Sequence, residues 1–183
     1  LIWVYQALKI EKKLKLFTAF NHSPMGYSMA AGIGAWFADK KNTVLAIIGD
    51  GSMPMNIQEL ETIKNFNCNI KIIVINNKGY SLIKQTQETW LNSNYAGVDK
   101  SSGLSLPNNC RIARAYGIKS VILNNNREVK KNLKKIISKK GPILIDVMID
   151  PKARVKPKIE FGKPLHNMSP LLPKKEINEI LKN

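Results

Sequence analysis

Two short apolar runs, Val44 to Ile48 and Lys71 to Ile75, flank a segment with helical periodicity, and this spacing restricts the fold more than any other feature. Short runs rich in Ile and Val, with no polar alternation, suit strands covered on both faces of a parallel sheet. Between them, Asn56 to Phe66 places Ile57, Leu60, Ile63 and Phe66 along one side of a helix. Neighbouring parallel strands need a long crossover, and a helix is its usual form. Asn56 is expected as the N-cap of that helix, with Glu59 completing a capping box.

The alternation continues along the chain. Helices are expected over Leu1–Lys13, Ser28–Asp39, from Tyr80 to Glu88, over Asn109–Tyr116 (ended by Gly117) and over Arg127–Lys139. Further strands are expected at Leu16–Phe20, Ser120–Leu123 and Pro142–Ile149. The fold class is therefore α/β: a doubly wound, mostly parallel sheet with helices on both faces. Residues 1–150 form one domain. Residues 151–183, where prolines and lysines dominate, read as an extended tail with a short helix from Lys174 to Leu181. Thr89 to Pro107 is polar and irregular, as a loop at a functional edge would be.

Composition narrows the function. The formal net charge of +16 invites a nucleic-acid partner. The lysines, however, are spread in short groups, and Lys130, Lys131, Lys134 and Lys135 fit the solvated face of one amphipathic helix. No RNA-binding aromatic motif or zinc module accompanies them, so no nucleic acid is expected. The longest apolar stretch, Met29 to Ala38, is too short to cross a bilayer, so no membrane is expected. Cys68 and Cys110 have no metal-type spacing and read as reduced thiols of a cytoplasmic protein. The chain opens on Leu1 with no basic stretch before its apolar residues, and the expectation is a start inside a longer protein.

The chemistry concentrates at two strand ends. Gly49-Asp50-Gly51-Ser52 closes the first run, and Asn76-Asn77 closes the second. Two adjacent carboxyl ends are where open α/β sheets bind ligands. The Asp50 carboxylate and the Asn77 amide oxygen are hard donors suited to Mg²⁺, which completes its shell with phosphate oxygens and water. Gly51 would let the backbone approach a phosphate, and free amides at Gly51 and Ser52 would donate to it. Glu59 and Glu61 read as capping and solvent-facing residues rather than general bases.

This arrangement of strand, Gly-Asp-Gly, helix, strand and Asn-Asn resembles the signature of thiamine-diphosphate enzymes. Asn21 to Tyr27 with Ala30 to Ala35, Asn76 to Gln85, Ile149-Asp150-Pro151 and Met168 to Pro173 extend the resemblance to acetolactate synthases over nearly the whole chain. The resemblance implies thiamine diphosphate as cofactor, contacted by Ser23, Met25, Gly49, Asp50, Gly51, Ser52, Asn77, Gly79, Leu82 and Ile83. It implies Mg²⁺ held by Asp50, Asn77 and the Gly79 carbonyl. Met25 would hold the cofactor bent, and Leu82 and Ile83 would pack on its thiazolium ring.

One departure is Gln85-Thr86-Gln87, where the family usually has Gln-Trp-Gln and uses the Trp to select the acceptor. A second is that nothing matches the family's catalytic Glu, which belongs to a separate pyrimidine-binding domain. No catalytic residue is therefore expected on this chain, and the isolated chain is expected to be inactive. The family's Gly-x-His-Gln contact would fall before residue 1. FAD, where bound, would belong to a part of the protein outside this chain. The implied activity is decarboxylation of a 2-oxo acid followed by carboligation, in a homo-oligomer. The alternative is a stand-alone diphosphate-binding subunit of a two-subunit 2-oxo acid decarboxylase.

Overall fold

The computed structural model describes residues 2–11, 14–19, 22–159, 162–164, 166, 168–170 and 172–182; the side chains of Met168 and Ile180 are outside the description. Four parallel strands form the centre: β1 (Val44–Gly49), β2 (Ile70–Asn76), β3 (Lys119–Leu123) and β4 (Ile143–Met148), in the order β1-β2-β4-β3. Register aligns Val44 with Ile70 and Lys71 with Ile143, so the carboxyl ends of β1, β2 and β4 finish together.

The helices are α1 (Ile2–Ala7), α2 (Tyr27–Ala38), α3 (Glu59–Asn65), α4 (Ser81–Trp90), α5 (Asn109–Ala115), α6 (Asn126–Ile137) and α7 (Lys174–Ile180). One face of the sheet packs Ala46, Ile48, Ile72, Val74 and Leu144 against Met29, Ile33 and Trp36 of α2, Leu60 and Ile63 of α3, and Ala113 of α5. The other packs Ile73, Ile143 and Ile145 against Ile136, Val129 and Leu133 of α6. Helices on both faces of a parallel sheet are the expected doubly wound α/β fold. The lysines of α6 are exposed, as the amphipathic pattern required.

Three expectations change. Val44 to Ile48 is not covered on both faces: β1 is an edge strand of the described sheet, and Leu45 is 44% exposed. Residues 14–19 form no strand; Leu14, Leu16 and Phe17 are exposed, and no strand among the described residues pairs with them. Phe20 lies outside the described residues. The capping box does not form, because residues 53–56 make a 3₁₀ turn and α3 begins only at Glu59, behind Gln58. Asn56 instead donates its amide to the Gly26 carbonyl at 3.2 Å. Tertiary packing of that turn overrides the local signal.

The tail also contains a strand pair that the sequence did not suggest, β5 (Lys158–Ile159) against β6 (Met168–Ser169), antiparallel. Helix α4 runs on to Trp90, and the irregular segment after it holds one 3₁₀ turn, Lys100–Ser102, capped by Asp99. A buried lysine braces the amino ends of the central strands β2 and β4. Lys71, fully buried, donates to the Asn69 side chain at 2.7 Å and to the Gly141 carbonyl at 2.6 Å.

Candidate functional site

The turn after β1 and the turn after β2 meet through one backbone amide. Asp50 follows β1 and is 3% exposed; its main-chain amide donates to the Ile75 carbonyl, which ties it to the end of β2. Its Oδ1 accepts from the Gly51 amide at 3.0 Å, and its Oδ2 accepts from the Gly79 amide at 3.1 Å. The same Gly79 amide donates to the Asn77 side-chain oxygen, also at 3.1 Å. A carboxylate oxygen and an amide oxygen from two strand ends therefore converge on one nitrogen.

No cation pairs with Asp50 among the described residues. Burial raises its pKa from the ordinary carboxylate range to about 6, against the opposing pull of the amides of Gly79 and Gly51. A buried carboxylate without a counter-ion is an incomplete electrostatic arrangement, and a bound cation would complete it. Among the described residues no three His, Cys, Asp or Glu side chains gather as a metal site. The donor set at Asp50 and Asn77 is one carboxylate plus one amide oxygen, which suits a hard ion that draws its other ligands from phosphate and water.

Steric packing explains the glycines. A Cβ on Gly51 would lie 2.1 Å from the Tyr80 ring, and a Cβ on Gly79 would lie 2.3 Å from the Val98 carbonyl oxygen. The Tyr80 amide donates to that same carbonyl at 2.9 Å, so Val98 clips the loop from behind. The expectation of free amides at the first turn is not met. Gly51 gives its N–H to Asp50, and Ser52 gives its N–H to the Gly49 carbonyl at 3.0 Å. The space beside Gly51 is filled by Tyr80.

The remaining predicted residues lie around this centre. Gly49 ends β1, and Ser52 starts the turn into the 3₁₀ segment. Ser23 and Met25 lie on the loop before α2, with Ser23 at φ 41°. Asn56 ties that loop to the turn after β1 through Gly26. Leu82 and Ile83 sit in the first turn of α4, directly after the Asn77–Gly79 loop. Met25, Met55, Leu82 and Ile83, on the segments that adjoin the two turns, are 40–50% exposed. A groove of about 600 Å³ lies at the amino ends of β3 and β4 beside Arg114, Lys119 and Lys139. It shares no residue with this centre, and the converging oxygens outweigh its size as a guide to chemistry.

The sequence reading missed Asn76 and Asp146. Asn76 donates its side-chain amide to both oxygens of Asp146, at 3.0 and 3.2 Å, and accepts from the Lys78 amide at 3.1 Å. An Asp inside the apolar strand Ile143–Met148 was the available signal.

Residues 1–147 match the model of the thiamine pyrophosphate enzyme family's C-terminal TPP binding domain. The chain belongs to this family. It is 33% identical over 162 residues to the acetolactate synthase large subunit of Cyanidium caldarium, covering 88% of this chain and 27% of that protein. It is 33% identical over 161 residues to the acetolactate synthase isozyme 1 large subunit of Escherichia coli (strain K12), covering 88% of this chain and 28% of that protein. It is 31% identical over 165 residues to the mitochondrial acetolactate synthase of Schizosaccharomyces pombe, covering 90% and 24%. The chain thus spans about a quarter of the length of these relatives. In this TPP-binding domain, no helix among the described residues is long and apolar enough to cross a membrane.

Proposed function

We propose that this domain binds thiamine diphosphate by its diphosphate, through Mg²⁺ held by the Asp50 carboxylate, the Asn77 side-chain oxygen and the Gly79 carbonyl. The observation that carries the reading is the shared amide: Asp50 and Asn77 present oxygens to one nitrogen, and the carboxylate has no cation. Mg²⁺ there would offset the buried charge and draw the negative diphosphate to the strand ends. Gly49, Gly51 and Ser52 would line the diphosphate side. Met25, Leu82 and Ile83 would border the thiazolium, and Ser23 the aminopyrimidine.

Once bound, thiamine diphosphate supplies an electron sink for the carbanion left when a 2-oxo acid loses CO₂. This chain's residues would bind, orient and exclude water. Half-exposed apolar side chains at Met25, Leu82 and Ile83 support a pocket wall that becomes dry when covered. The whole protein is read as a decarboxylating carboligase similar to acetolactate synthase, working as a homo-oligomer on a small 2-oxo acid such as pyruvate. Thr86 stands where the family usually has the acceptor-selecting Trp, so the acceptor is left to product analysis. FAD would be bound, where it is, outside this chain. The two free, buried cysteines support a cytoplasmic setting.

The test is a titration of thiamine diphosphate into the intact protein with Mg²⁺ present. Asp50→Ala removes the charged ligand, and affinity should fall by at least about 100-fold, since losing a buried charge pair costs roughly 3 kcal/mol or more. Unchanged affinity would discard the metal assignment.

A further inference from the structure

Asp146 is 4% exposed, carries no cation partner among the described residues, and takes no part in the site just described. It lies on β4 at the level of Val74, and Asn76 reaches it diagonally across the β2–β4 ladder on the same face of the sheet. Both of its oxygens accept from the Asn76 amide group, at 3.0 and 3.2 Å, and Oδ2 lies 3.5 Å from the Asn109 amide nitrogen at the start of α5. The other end of Asn76 is its side-chain oxygen, which accepts from the Lys78 amide at 3.1 Å. Lys78 is held at φ 60°, a left-handed conformation that non-glycine residues adopt at a cost. The next amide, Gly79, is the one shared by Asp50 and Asn77.

We propose that Asp146 is a positioning residue for the cofactor site: by fixing which way the Asn76 amide faces, it sets the Lys78–Gly79 turn that brings the Asn77 oxygen to Asp50. The Lys78 N–H can only donate, so the Asn76 oxygen faces it and the Asn76 nitrogen faces the two accepting oxygens of Asp146. An asparagine at 146 would offer both a donor and an acceptor. The Asn76 amide could then flip, presenting N–H to N–H at Lys78 and releasing the turn. Carboxylates that orient ligating groups from behind commonly change metal affinity by about 10- to 100-fold when replaced. The inference rests on the Mg²⁺ and thiamine diphosphate reading above.

The experiment measures thiamine diphosphate affinity and Mg²⁺ half-saturation in the intact protein, alongside the melting temperature of the cofactor-free form. Asp146→Asn, close in size to the native residue, should weaken both binding constants by about 10-fold or more. Asn76→Ala should weaken them similarly, and the double variant should bind no worse than Asn76→Ala alone, because both act through one contact. Wild-type affinity in Asp146→Asn with a lowered melting temperature would overturn the inference, leaving Asp146 a purely structural group. Effects that multiply in the double variant would overturn it too. If Asp146→Asn fails to fold, Asn76→Ala carries the test: wild-type affinity there also overturns the inference. Asp50→Ala serves as the reference. Lost binding in Asp50→Ala with normal binding in the Asp146 and Asn76 variants rejects the positioning role alone, whereas normal binding in all of them rejects the site.

Discussion

Asp50 combines burial with a net charge that no side chain among the described residues balances. Its pKa, raised by burial to about 6 from 3.8, means that between those two values the folded, cofactor-free protein holds a proton which the unfolded chain has already released. The sign follows from linkage. Above pH 6 the folded state carries a buried charge, at a cost of up to about 3 kcal/mol; the cost shrinks as pH falls through 6 and vanishes below about 4, where both states are protonated. Asp50→Asn carries no charge at any pH, and its mismatch with one backbone amide is a constant. Wild type should therefore gain stability relative to Asp50→Asn as pH is lowered from 8 to 4, by up to about 3 kcal/mol. Denaturant unfolding of both cofactor-free proteins across that range checks this, and a pH-independent difference would refute it. The positions of Asp50 and Asn77 were legible because strand ends and turn residues leave a strong local mark. The roles of Tyr80, Val98, Asn76 and Asp146 were not, because each depends on which strand lies beside which. The register of β2 against β4 is set by long-range packing that no local pattern encodes.

At the scale of elements, α4 acts as a two-sided clamp. Gln85 and Gln87 are two residues apart, so their side chains leave the helix about 200° apart. Gln85 donates to the Val155 carbonyl and accepts from the Val155 amide, each at 3.0 Å. Gln87 does the same with Ala96 on the other side, at 3.2 Å. Around the first clamp, Ser81 donates to the Ala153 carbonyl, and Arg154 forms an ion pair with Glu88. Around the second, Lys84 pairs with Asp99 at 2.6 Å, and its ammonium sits over the Tyr95 ring. The helix that follows the Asn77–Gly79 loop is thereby fixed against both the tail and the polar loop. Gln85→Ala would leave the buried Val155 amide and carbonyl without partners, a loss of about 1–3 kcal/mol. Tryptic cleavage after Arg154 should accelerate in that variant, and not in Gln87→Ala, which frees the Ala96 side instead. Equal cleavage in wild type and Gln85→Ala would show that the tail is held by other contacts. Helix existence and approximate bounds were readable from periodicity in α2, α5 and α6. The start of α3 was not, since the Asn56 side chain is drawn away to Gly26, and residues 14–19 have apolar character without a partner strand to pair with.

For the whole molecule, the arrangement of surfaces matters more than the charge of +16. The lysines of α6 lie exposed on one side of the sheet, whereas the strand ends that carry Asp50 and Asn77 are flanked by Met25, Met55, Leu82 and Ile83, each 40–50% exposed. A polar centre of converging oxygens and exposed apolar side chains are both present, and the apolar side chains face water. Decarboxylation on a thiazolium benefits from a site closed to solvent, where the charged carboxylate is poorly solvated and the developing neutral form is favoured. Proton transfer to the cofactor ring also needs a positioned acid or base. Among the described residues the only carboxylate at the centre of the site is Asp50, and its two oxygens are engaged by the Gly51 and Gly79 amides. These features separate binding from turnover. This chain, prepared alone with Mg²⁺ and thiamine diphosphate, should release CO₂ from pyruvate no faster than the free cofactor. The same assay on the intact protein should give turnover, and mass spectrometry of its products distinguishes acetolactate from acetaldehyde. Turnover by the chain alone, well above the cofactor background, would mean that its own side chains perform the proton transfer and that the exposed apolar side chains become covered without a partner surface.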